Sequence, residues 1–380
     1  METKTYRSMP HRRMGNSGLW VSEVGLGLWK WGDPSYDGSR VGQDEGFEIL
    51  DRALELGVTH WDTANSYNAG AGNSERLIGR YFKERGPRVR HSVVLATKVR
   101  NTVRDEGERE REFTPNESGG SRLYILNAVE DSLRRLQTDY IDVLYHHAPS
   151  VLSDGSWETP LDEMWDAFNL LIDQGKVRYL AVSNRTIEQL EADRQALTAV
   201  APNPSRRIIA VQNWYNMLQR PKVSSLNDDP TVDDEQAFID YLRETEIGLV
   251  PYVPLAVGLL TGRYQKGNLD ETGRLVQESW GESFLTERNL TIVERLGLFA
   301  ENKGCTLPQL AIAWLLAHED VCSVIAGVTK LAHLEDNAHA PTVHLTQDEV
   351  AELDAITRPP AADDEKPEEK TTEDGSDAEA

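Results

Sequence analysis

Eight short apolar runs, each followed by a helical pattern, constrain the fold of this 380-residue chain more than any other feature. Continuous runs of Val, Ile and Leu are typical of strands in a parallel sheet that is buried on both faces. The predicted strands are Glu23–Leu28, Val58–Thr63, Val93–Lys98, Ile141–His147, Val177–Asn184, Ile208–Asn213, Gly248–Val253 and Val321–Ala326. The predicted amphipathic helices are Asp44–Leu56, Ser74–Glu84, Arg122–Leu136, Pro160–Gln174, Ile187–Ala199, Asp234–Glu244, Glu287–Lys303 and Leu307–Ala317. This alternation predicts a closed (β/α)8 barrel or an open doubly wound sheet.

The first strand favours the closed barrel. An open sheet that binds a dinucleotide needs a glycine-rich turn there, but Gly25-Leu26-Gly27-Leu28 lacks the third glycine and leads into a loop. We therefore predict an α/β fold, a (β/α)8 TIM barrel over residues 1–358 with long loops on its C-terminal face. The polar hairpin Met14–Gly18 is predicted to plug the bottom of the barrel. Ser121 and Thr186 are predicted helix caps, and Pro160 a first helical residue.

The remaining segment, residues 359–380, is rich in Asp, Glu, Thr and Pro and is predicted to be a disordered acidic tail. The net charge of −23 argues against nucleic acid and anionic membranes as partners. Basic residues are mostly Arg, which fits either a salt-adapted source or an Arg-rich genome.

Cysteine content and hydropathy suggest a compartment. Two cysteines, Cys305 and Cys322, are too few for a disulfide framework and fit a reducing environment. The first residues, Met1–Arg13, include no apolar stretch that reads as a secretory signal, and no apolar run reaches the ~20 residues that span a bilayer. We expect a cytoplasmic protein.

Polar and aromatic residues gather at the ends of the predicted strands, where (β/α)8 enzymes carry their chemistry. In strand order the residues at these ends are Trp29, Asp62, Lys98, His147, Asn184, Gln212, Tyr252 and Gly327, of which all but the glycine are polar or aromatic. Tyr67 follows Asp62 by five positions. A phenol normally holds its proton up to a pH of about 10, and a neighbouring cation and carboxylate are expected to lower that pKa enough for general acid catalysis. The predicted catalytic residues are Asp62, Tyr67, Lys98 and His147.

Other interpretations of these residues stay open at this point. Lys98 could form a structural ion pair with Asp62, or a Schiff base in an unrelated barrel lyase. A metal site lacks a third ligand. His147 is preferred to His146 because neighbouring residues of a strand point to opposite faces.

The ordered motifs resemble those of aldo-keto reductases from about Arg12 to Arg358. The motifs are Asp62–Tyr67, Thr97-Lys98, Tyr140–Pro149, Gly175–Arg178, Val182–Asn184, Gln212, Tyr215-Asn216, Tyr252–Leu255, Gly258–Tyr264, Gly327–Lys330 and Asp336-Asn337. Gly27-Leu28-Trp29 and Ser118–Arg122 resemble the branch of potassium-channel β subunits and bacterial L-glyceraldehyde 3-phosphate reductases.

The resemblance implies an NADPH-dependent oxidoreductase that reduces a small-molecule carbonyl, with NADP⁺ as the oxidised cofactor. Tyr67 would protonate the carbonyl oxygen, Lys98 and Asp62 would lower the pKa of Tyr67, and His147 would orient the carbonyl. The alternative that it also implies is a regulatory subunit that binds NADPH and reports redox state to a partner. Relatives include monomers and rings, so the number of subunits is not predicted.

The resemblance also assigns a cofactor set. Ser183, Asn184 and Gln212 would bind the nicotinamide carboxamide, and Tyr252 would stack on the ring. The other predicted cofactor contacts are Trp29, Asp62, Val253, Leu255, Arg263, Arg274, Gly327, Thr329, Lys330, His333, Asp336 and Asn337.

Individual positions in this set have distinct expected roles. Arg263 and Arg274 are expected at the pyrophosphate and Lys330 at the 2′-phosphate. Val253 and His333 depart from the usual residues, a hydroxyl or thiol and a glutamine.

The expected substrate contacts are aromatic residues together with the catalytic pair. Trp29 and Trp31 would line the substrate mouth with Trp214 or Tyr215, and Tyr67 and His147 would contact the carbonyl.

Overall fold

A computed structural model describes residues 2–35, 38–68, 70–104, 111–203, 205–221, 232–278 and 281–358 of the protein. The acidic tail, residues 359–380, lies outside the described residues, so its predicted disorder stays a prediction. The described strands are β1 (Thr3–Tyr6), β2 (Met9–Arg13), β3 (Trp20–Ser22), β4 (Val24–Gly27), β5 (His60–Asp62), β6 (Val94–Val99), β7 (Ile141–His146), β8 (Val177–Ser183), β9 (Ile208–Gln212), β10 (Gly248–Leu249), β11 (Tyr264–Gln265), β12 (Asn268–Leu269) and β13 (Val324–Gly327).

Eight of the described strands form one parallel sheet in the order β10-β9-β8-β7-β6-β5-β4-β13. Its two edges meet through parallel bridges between Leu249 and Val321 and between Tyr252 and Ile325. The Leu249 amide donates to the Asp320 carbonyl at 2.8 Å, and the Ile325 amide donates to the Pro251 carbonyl at 2.8 Å. The sheet therefore closes on itself as a barrel, as the sequence predicted.

Helices surround this barrel. The described α-helices are α1 (Gln43–Leu56), α2 (Asn73–Arg85), α3 (Pro87–His91), α4 (Arg122–Leu136), α5 (Leu161–Asp173), α6 (Ile187–Val200), α7 (Val232–Thr245), α8 (Arg274–Gln277), α9 (Gly281–Phe284), α10 (Glu287–Lys303), α11 (Leu307–Leu316), α12 (Leu331–Ala338) and α13 (Gln347–Thr357). The large apolar cluster lies between these helices and the sheet, and a smaller one fills the barrel interior. None of the described helices is both long and apolar enough to cross a membrane.

Local signals set the helix starts. The Ser121 hydroxyl accepts from the Tyr124 amide, and Thr186 forms a reciprocal capping box with Gln189, as predicted. α5 begins at Leu161, one residue later than predicted, because Pro160 keeps an extended ψ of 127° and acts as the cap.

The amino-terminal strands form a separate antiparallel sheet, in the order β1-β2-β3. In the turn between β2 and β3, the Asn16 amide donates to the Glu246 carbonyl at 2.9 Å. Met14 and Val21 are buried in the same cluster as residues of the barrel interior. The predicted function of this hairpin as a plug stays a prediction.

Candidate active site

Asp62, Lys98 and Tyr67 meet at the C-terminal ends of β5 and β6. The Lys98 ammonium donates to Asp62 Oδ2 at 2.6 Å, to the Tyr67 hydroxyl at 2.8 Å and to the Thr63 carbonyl at 3.0 Å. The Tyr67 hydroxyl in turn donates to Asp62 Oδ2 at 3.4 Å. The side chains of Lys98 and Asp62 are 1% and 2% exposed, so this charge pair is shielded from water. The three predicted residues are therefore brought into direct contact.

The electrostatics of Tyr67 differ from the expectation. Burial, followed by the Asp62 carboxylate, raises the pKa of Tyr67 well above its usual range. The expectation of a lowered pKa was wrong, because burial and the carboxylate outweigh the attraction of the Lys98 ammonium. Tyr67 is consequently protonated at neutral pH, which is the state that a proton donor requires.

His147, directly after β7, lies beside Tyr67. Its ring lies 5.9 Å from the Tyr67 ring, centroid to centroid, at an interplanar angle of 73°. Burial, with the charges of Lys98 and Arg100, lowers the pKa of His147 to about 3. The imidazole is therefore neutral at physiological pH. His146 points away, as predicted, and receives a hydrogen bond from Arg185 at 2.7 Å.

Polar side chains at the ends of β8 and β9 continue this arrangement. Gln212 Nε2 donates to Asp62 Oδ1 at 2.8 Å, and the Ser183 hydroxyl donates to the Gln212 carbonyl at 2.7 Å. Asn184 adopts a left-handed φ of 58°, a conformation that asparagine tolerates better than most residues. In that position its amide donates to the His147 carbonyl at 2.8 Å and its oxygen accepts from the Tyr252 hydroxyl at 2.6 Å.

A cavity of about 430 Å³ extends from Tyr67 along the carboxyl ends of the strands. Its described lining includes Asp62, Tyr67, Trp29, Tyr252, Val253, Leu255, Arg263, Arg274, Gly327, Thr329, His333, Asp336 and Asn337. These predicted residues therefore share one cleft. Lys330 is exposed beside Thr329 rather than part of this lining. Five other predicted residues lie behind or beside the end of the cleft that holds Tyr67. They are Ser183, Asn184, Gln212, Lys98 and His147.

The cleft fits an elongated ligand that carries anionic groups and hydrogen-bond acceptors. Arg274 Nη2 and Asn337 Nδ2 are buried nitrogen donors without a hydrogen-bond partner among the described residues. Both side chains line the cleft. Buried donors are normally satisfied, so these two atoms point to a bound group that supplies acceptors. A phosphorylated dinucleotide has acceptors of both kinds, on its phosphates and its adenine ring.

Lys30 and Arg40 also line this cleft. Neither cationic side chain was among the site residues predicted from the sequence. Glu278 lies between them and Arg274, at 3.5 Å from Lys30, 3.4 Å from Arg40 and 2.9 Å from Arg274. Arg263 pairs with Asp270 at 3.1 Å. The position of Lys30, directly after Trp29 at a strand end, is the sequence signal that could have indicated it.

The loop after β10 holds strained residues against the cleft. Val253, Ala256 and Val257 have φ values of 57°, 46° and 58°. Val253 and Val257 are β-branched, and such residues avoid this region because it costs of order 1–3 kcal/mol each. Such strain concentrates at functional sites, and here it lies in the wall of the cleft.

The aromatic predictions are correct only in part. Trp29 is 39% exposed, lines the cleft and lies 6.5 Å from the Tyr67 ring. Trp31 is fully buried and donates to the Val328 carbonyl at 2.7 Å, so its predicted place at the mouth was wrong. Of the two alternatives Trp214 and Tyr215, Tyr215 is fully buried against Trp314 and His318 and so does not lie at the mouth. Trp214 is half-buried and packs edge-on to Tyr252 at 5.6 Å.

The residues at the far end of the cleft belong to β13 and α12. His333 Nδ1 lies 3.4 Å from the Thr329 hydroxyl, and burial together with the Lys330 and Arg263 charges lowers the pKa of His333. Asp336 accepts from the Thr306 hydroxyl at 3.0 Å and from Gln309 at 2.7 Å, contacts that tie α12 to α11. Across the described residues, no three His, Cys, Asp or Glu side chains cluster as a metal site would require.

Comparisons with known proteins identify the family. The sequence profile of the aldo/keto reductase family matches residues 23–358. The chain belongs to the aldo/keto reductase family. An L-glyceraldehyde 3-phosphate reductase of Escherichia coli (strain K12) is 29% identical over 356 residues, which are 92% of each chain. A probable voltage-gated potassium channel subunit beta of Arabidopsis thaliana is 33% identical over 88% of this chain and 92% of its own. A versiconal hemiacetal acetate reductase of Aspergillus parasiticus is 30% identical over 91% of this chain and 96% of its own. These relatives match the branch that the sequence motifs indicated, in a family of oxidoreductases that act on carbonyl groups.

Proposed function

We propose that this aldo/keto reductase uses NADPH to reduce aldehydes or ketones to alcohols, with Tyr67 as the proton donor. The observation that carries the proposal is the contact of the Tyr67 hydroxyl with Lys98 at 2.8 Å, at one end of a cleft whose buried donors Arg274 Nη2 and Asn337 Nδ2 have no partner within the described part of the chain. Trp29 gives the cleft an aromatic wall beside Tyr67, and Trp214 packs against the lining residue Tyr252; aromatic surroundings suit a small aldehyde or an aromatic carbonyl.

The cofactor side of the proposal rests on the cleft wall. Arg274 and Arg263 would bind the pyrophosphate, Asn337 the adenine, and the exposed Lys330 the 2′-phosphate that distinguishes NADPH from NADH. Asn184 and Gln212 would hold the carboxamide, and Tyr252 would pack on the ring. When bound, the reduced nicotinamide supplies a hydride to the carbonyl carbon.

The side chains of this protein would handle the proton. The neutral His147 ring donates a hydrogen bond to the carbonyl oxygen and orients it. Tyr67 then transfers its phenolic proton to that oxygen. The phenolate that forms is stabilised by the Lys98 ammonium, which Asp62 keeps charged.

The proposal predicts that Tyr67→Phe abolishes most turnover without loss of cofactor affinity. The variant keeps the ring but not the proton, so kcat for aldehyde reduction should fall by about 10²–10⁴-fold. The measurement is NADPH oxidation across a panel of aldehydes, ketones and sugar phosphates, repeated with NADH, for which we expect the higher KM. NADPH affinity, followed by fluorescence, should stay near the wild-type value.

The matched control is Tyr81→Phe. The Tyr81 hydroxyl donates to Asp51 at 2.7 Å in the helical layer, away from the cleft. The Tyr81→Phe variant should therefore have the wild-type kcat for carbonyl reduction. A Tyr67→Phe enzyme that reduces carbonyls at the wild-type rate would show that another group is the acid.

A second candidate function is favoured by the relatives named as potassium channel β subunits, at 33% and 32% identity. In that case the protein would bind NADPH as a redox-sensing subunit. Tight NADPH binding, without reduction of any carbonyl in the panel, would support this alternative.

A further inference from the structure

Asn101, three residues after Lys98, contacts the proposed carbonyl-orienting histidine. Its Nδ2 lies 3.4 Å from His147 Nδ1 and donates to the Ser66 hydroxyl at 3.3 Å. On its other side, Arg100 Nη1 donates to Asn101 Oδ1 at 3.0 Å. The side chains of Arg100, Asn101 and His147 thus form a continuous hydrogen-bonded chain.

The arginine fixes which way the amide points. A guanidinium can only donate, so the atom that faces Arg100 has to be the carbonyl oxygen of the Asn101 side chain. The NH₂ group is therefore directed towards Ser66 and His147. The Ser66 contact does not determine the orientation of the Asn101 amide, because a serine hydroxyl can either donate or accept.

The orientation of the amide determines the tautomer of the imidazole. With an N–H group directed at Nδ1, that nitrogen has to be the acceptor, and in a neutral ring the proton then resides on Nε2. Nε2 has no hydrogen-bond partner among the described residues, so it is available to a ligand. The ring is neutral because burial and two nearby cations disfavour its protonation.

The Asn101 backbone is held firmly enough for this role. Its carbonyl accepts from Asn65 Nδ2 at 3.3 Å and from the Tyr124 hydroxyl at 2.5 Å. The His147 amide donates to the Val99 carbonyl at 3.0 Å, which ties the histidine to the same strand that leads into Asn101.

We infer that Asn101, oriented by Arg100, is a positioning residue that holds neutral His147 in the Nε2–H tautomer, so that the histidine presents a donor to the substrate carbonyl. The inference deepens the proposed function and rests on it for its catalytic meaning. The claim about the tautomer is independent of turnover.

The test is nitrogen NMR of the full-length protein labelled with ¹⁵N-histidine. Long-range ¹H–¹⁵N correlations distinguish the two neutral tautomers from the imidazolium, and His147→Gln identifies which of the nine histidine patterns belongs to His147. At neutral pH, we expect the Nε2–H pattern in the wild type. In Asn101→Leu, which keeps the bulk but no donor, we expect the Nδ1–H form to appear.

Kinetics give a second readout of the same variant. Asn101→Leu should lower kcat for carbonyl reduction by about three- to tenfold, the size of one hydrogen bond between neutral groups, with NADPH affinity unchanged. The matched control is Ser66→Ala, which removes the other acceptor of the same amide and should leave the His147 tautomer as in the wild type.

Asn101→Asp provides evidence even if the leucine variant does not fold. A carboxylate beside Nδ1 favours the charged ring, so His147 should become protonated at a higher pH than in the wild type. The inference is overturned if Asn101→Leu keeps the pure Nε2–H pattern, or if Asn101→Asp leaves the titration of His147 unchanged. Absence of reductase activity with the expected NMR patterns would refute the proposed function and leave the tautomer assignment standing.

Discussion

Lys98 illustrates how a buried charge is maintained at the scale of single residues. Burial lowers the pKa of Lys98, and the Asp62 carboxylate at 2.6 Å opposes that effect. Removing either partner would leave an uncompensated buried charge, which costs several kcal/mol. Lys98 and Asp62 therefore have to be considered as one unit, and the proton transferred in the proposed mechanism is the one on Tyr67.

The neutral state of His147 leads to a prediction about pH. Its pKa of about 3 lies below the ordinary histidine value of ~6.5, so the ring does not change charge between about pH 5 and about pH 8. We expect kcat for reduction to show no acid limb from His147 in that interval, measured as a pH–rate profile at saturating NADPH. A limb with an apparent pKa near ~6.5 that disappears in His147→Gln would contradict this expectation.

At the scale of elements, a buried ion pair supports the strand ends that carry the site. Arg185, just after β8, donates to Asp193 of α6 at 2.7 Å, and both side chains are fully buried. Trp165 of α5 donates to the same carboxylate at 3.0 Å, and Arg185 also contacts His146 of β7 at 2.7 Å. Two helices and two strands are thus joined directly beneath His147 and Asn184.

We predict that Asp193→Ala lowers the free energy of unfolding by about 3–5 kcal/mol, because it leaves the Arg185 charge buried without a counterion. Denaturant unfolding measures this change. Asp240→Ala is the matched control, since it removes an aspartate from an ion pair with Arg243 whose side chains are 57% and 58% exposed. The denaturant concentration at the unfolding midpoint of Asp240→Ala should stay at the wild-type value. Equal losses in the two variants would mean that burial of the Asp193 pair does not matter.

At the scale of the whole molecule, part of the negative charge lies outside the segment that matches the family. The net charge is −23, and residues 359–380 contribute seven of those negative charges. The family match, however, ends at residue 358, and the described residues that line the cleft lie between Gly27 and Asn337. The tail therefore adds charge beyond the segment that matches the family.

From this division we predict that a chain ending at Arg358 keeps its activity and stability. The kcat of the truncated protein and its Tm, measured by calorimetry at fixed salt, should match those of the full chain. A clearly lower Tm or a lost activity would show that residues 359–380 contribute to the folded domain, contrary to the proposed boundary.

The barrel could be predicted well from the sequence because the patterns that indicate its strands and helices are local. Strand runs such as Val93–Lys98 and helices such as Arg122–Leu136 reveal themselves by periodicity, and the observed elements β6 and α4 differ from them by at most one residue at each end. Parallel strands then bring their carboxyl ends to one rim, which is why Asp62, Lys98 and His147 could be grouped without a structure.

The remaining features depend on contacts that the sequence does not specify. The raised pKa of Tyr67 results from burial, which is a property of the whole site. The choice between Trp29 and Trp31 depends on the path of one loop, and only the structure shows that the Trp31 ring turns into the core. Asn101 and His147 are 46 positions apart, so no local pattern could pair them.

Two separate arcs of the barrel rim carry the groups for the two parts of the proposed mechanism, proton transfer and cofactor binding. The groups that would move or direct a proton in the proposed mechanism come from β5, β6, β7 and the loops that follow them. The groups that would grip a phosphate-bearing carrier come mainly from the segments after β10 and β13. A change along the first arc should therefore alter the rate of carbonyl turnover, while the affinity for the carrier, which the second arc would set, stays the same.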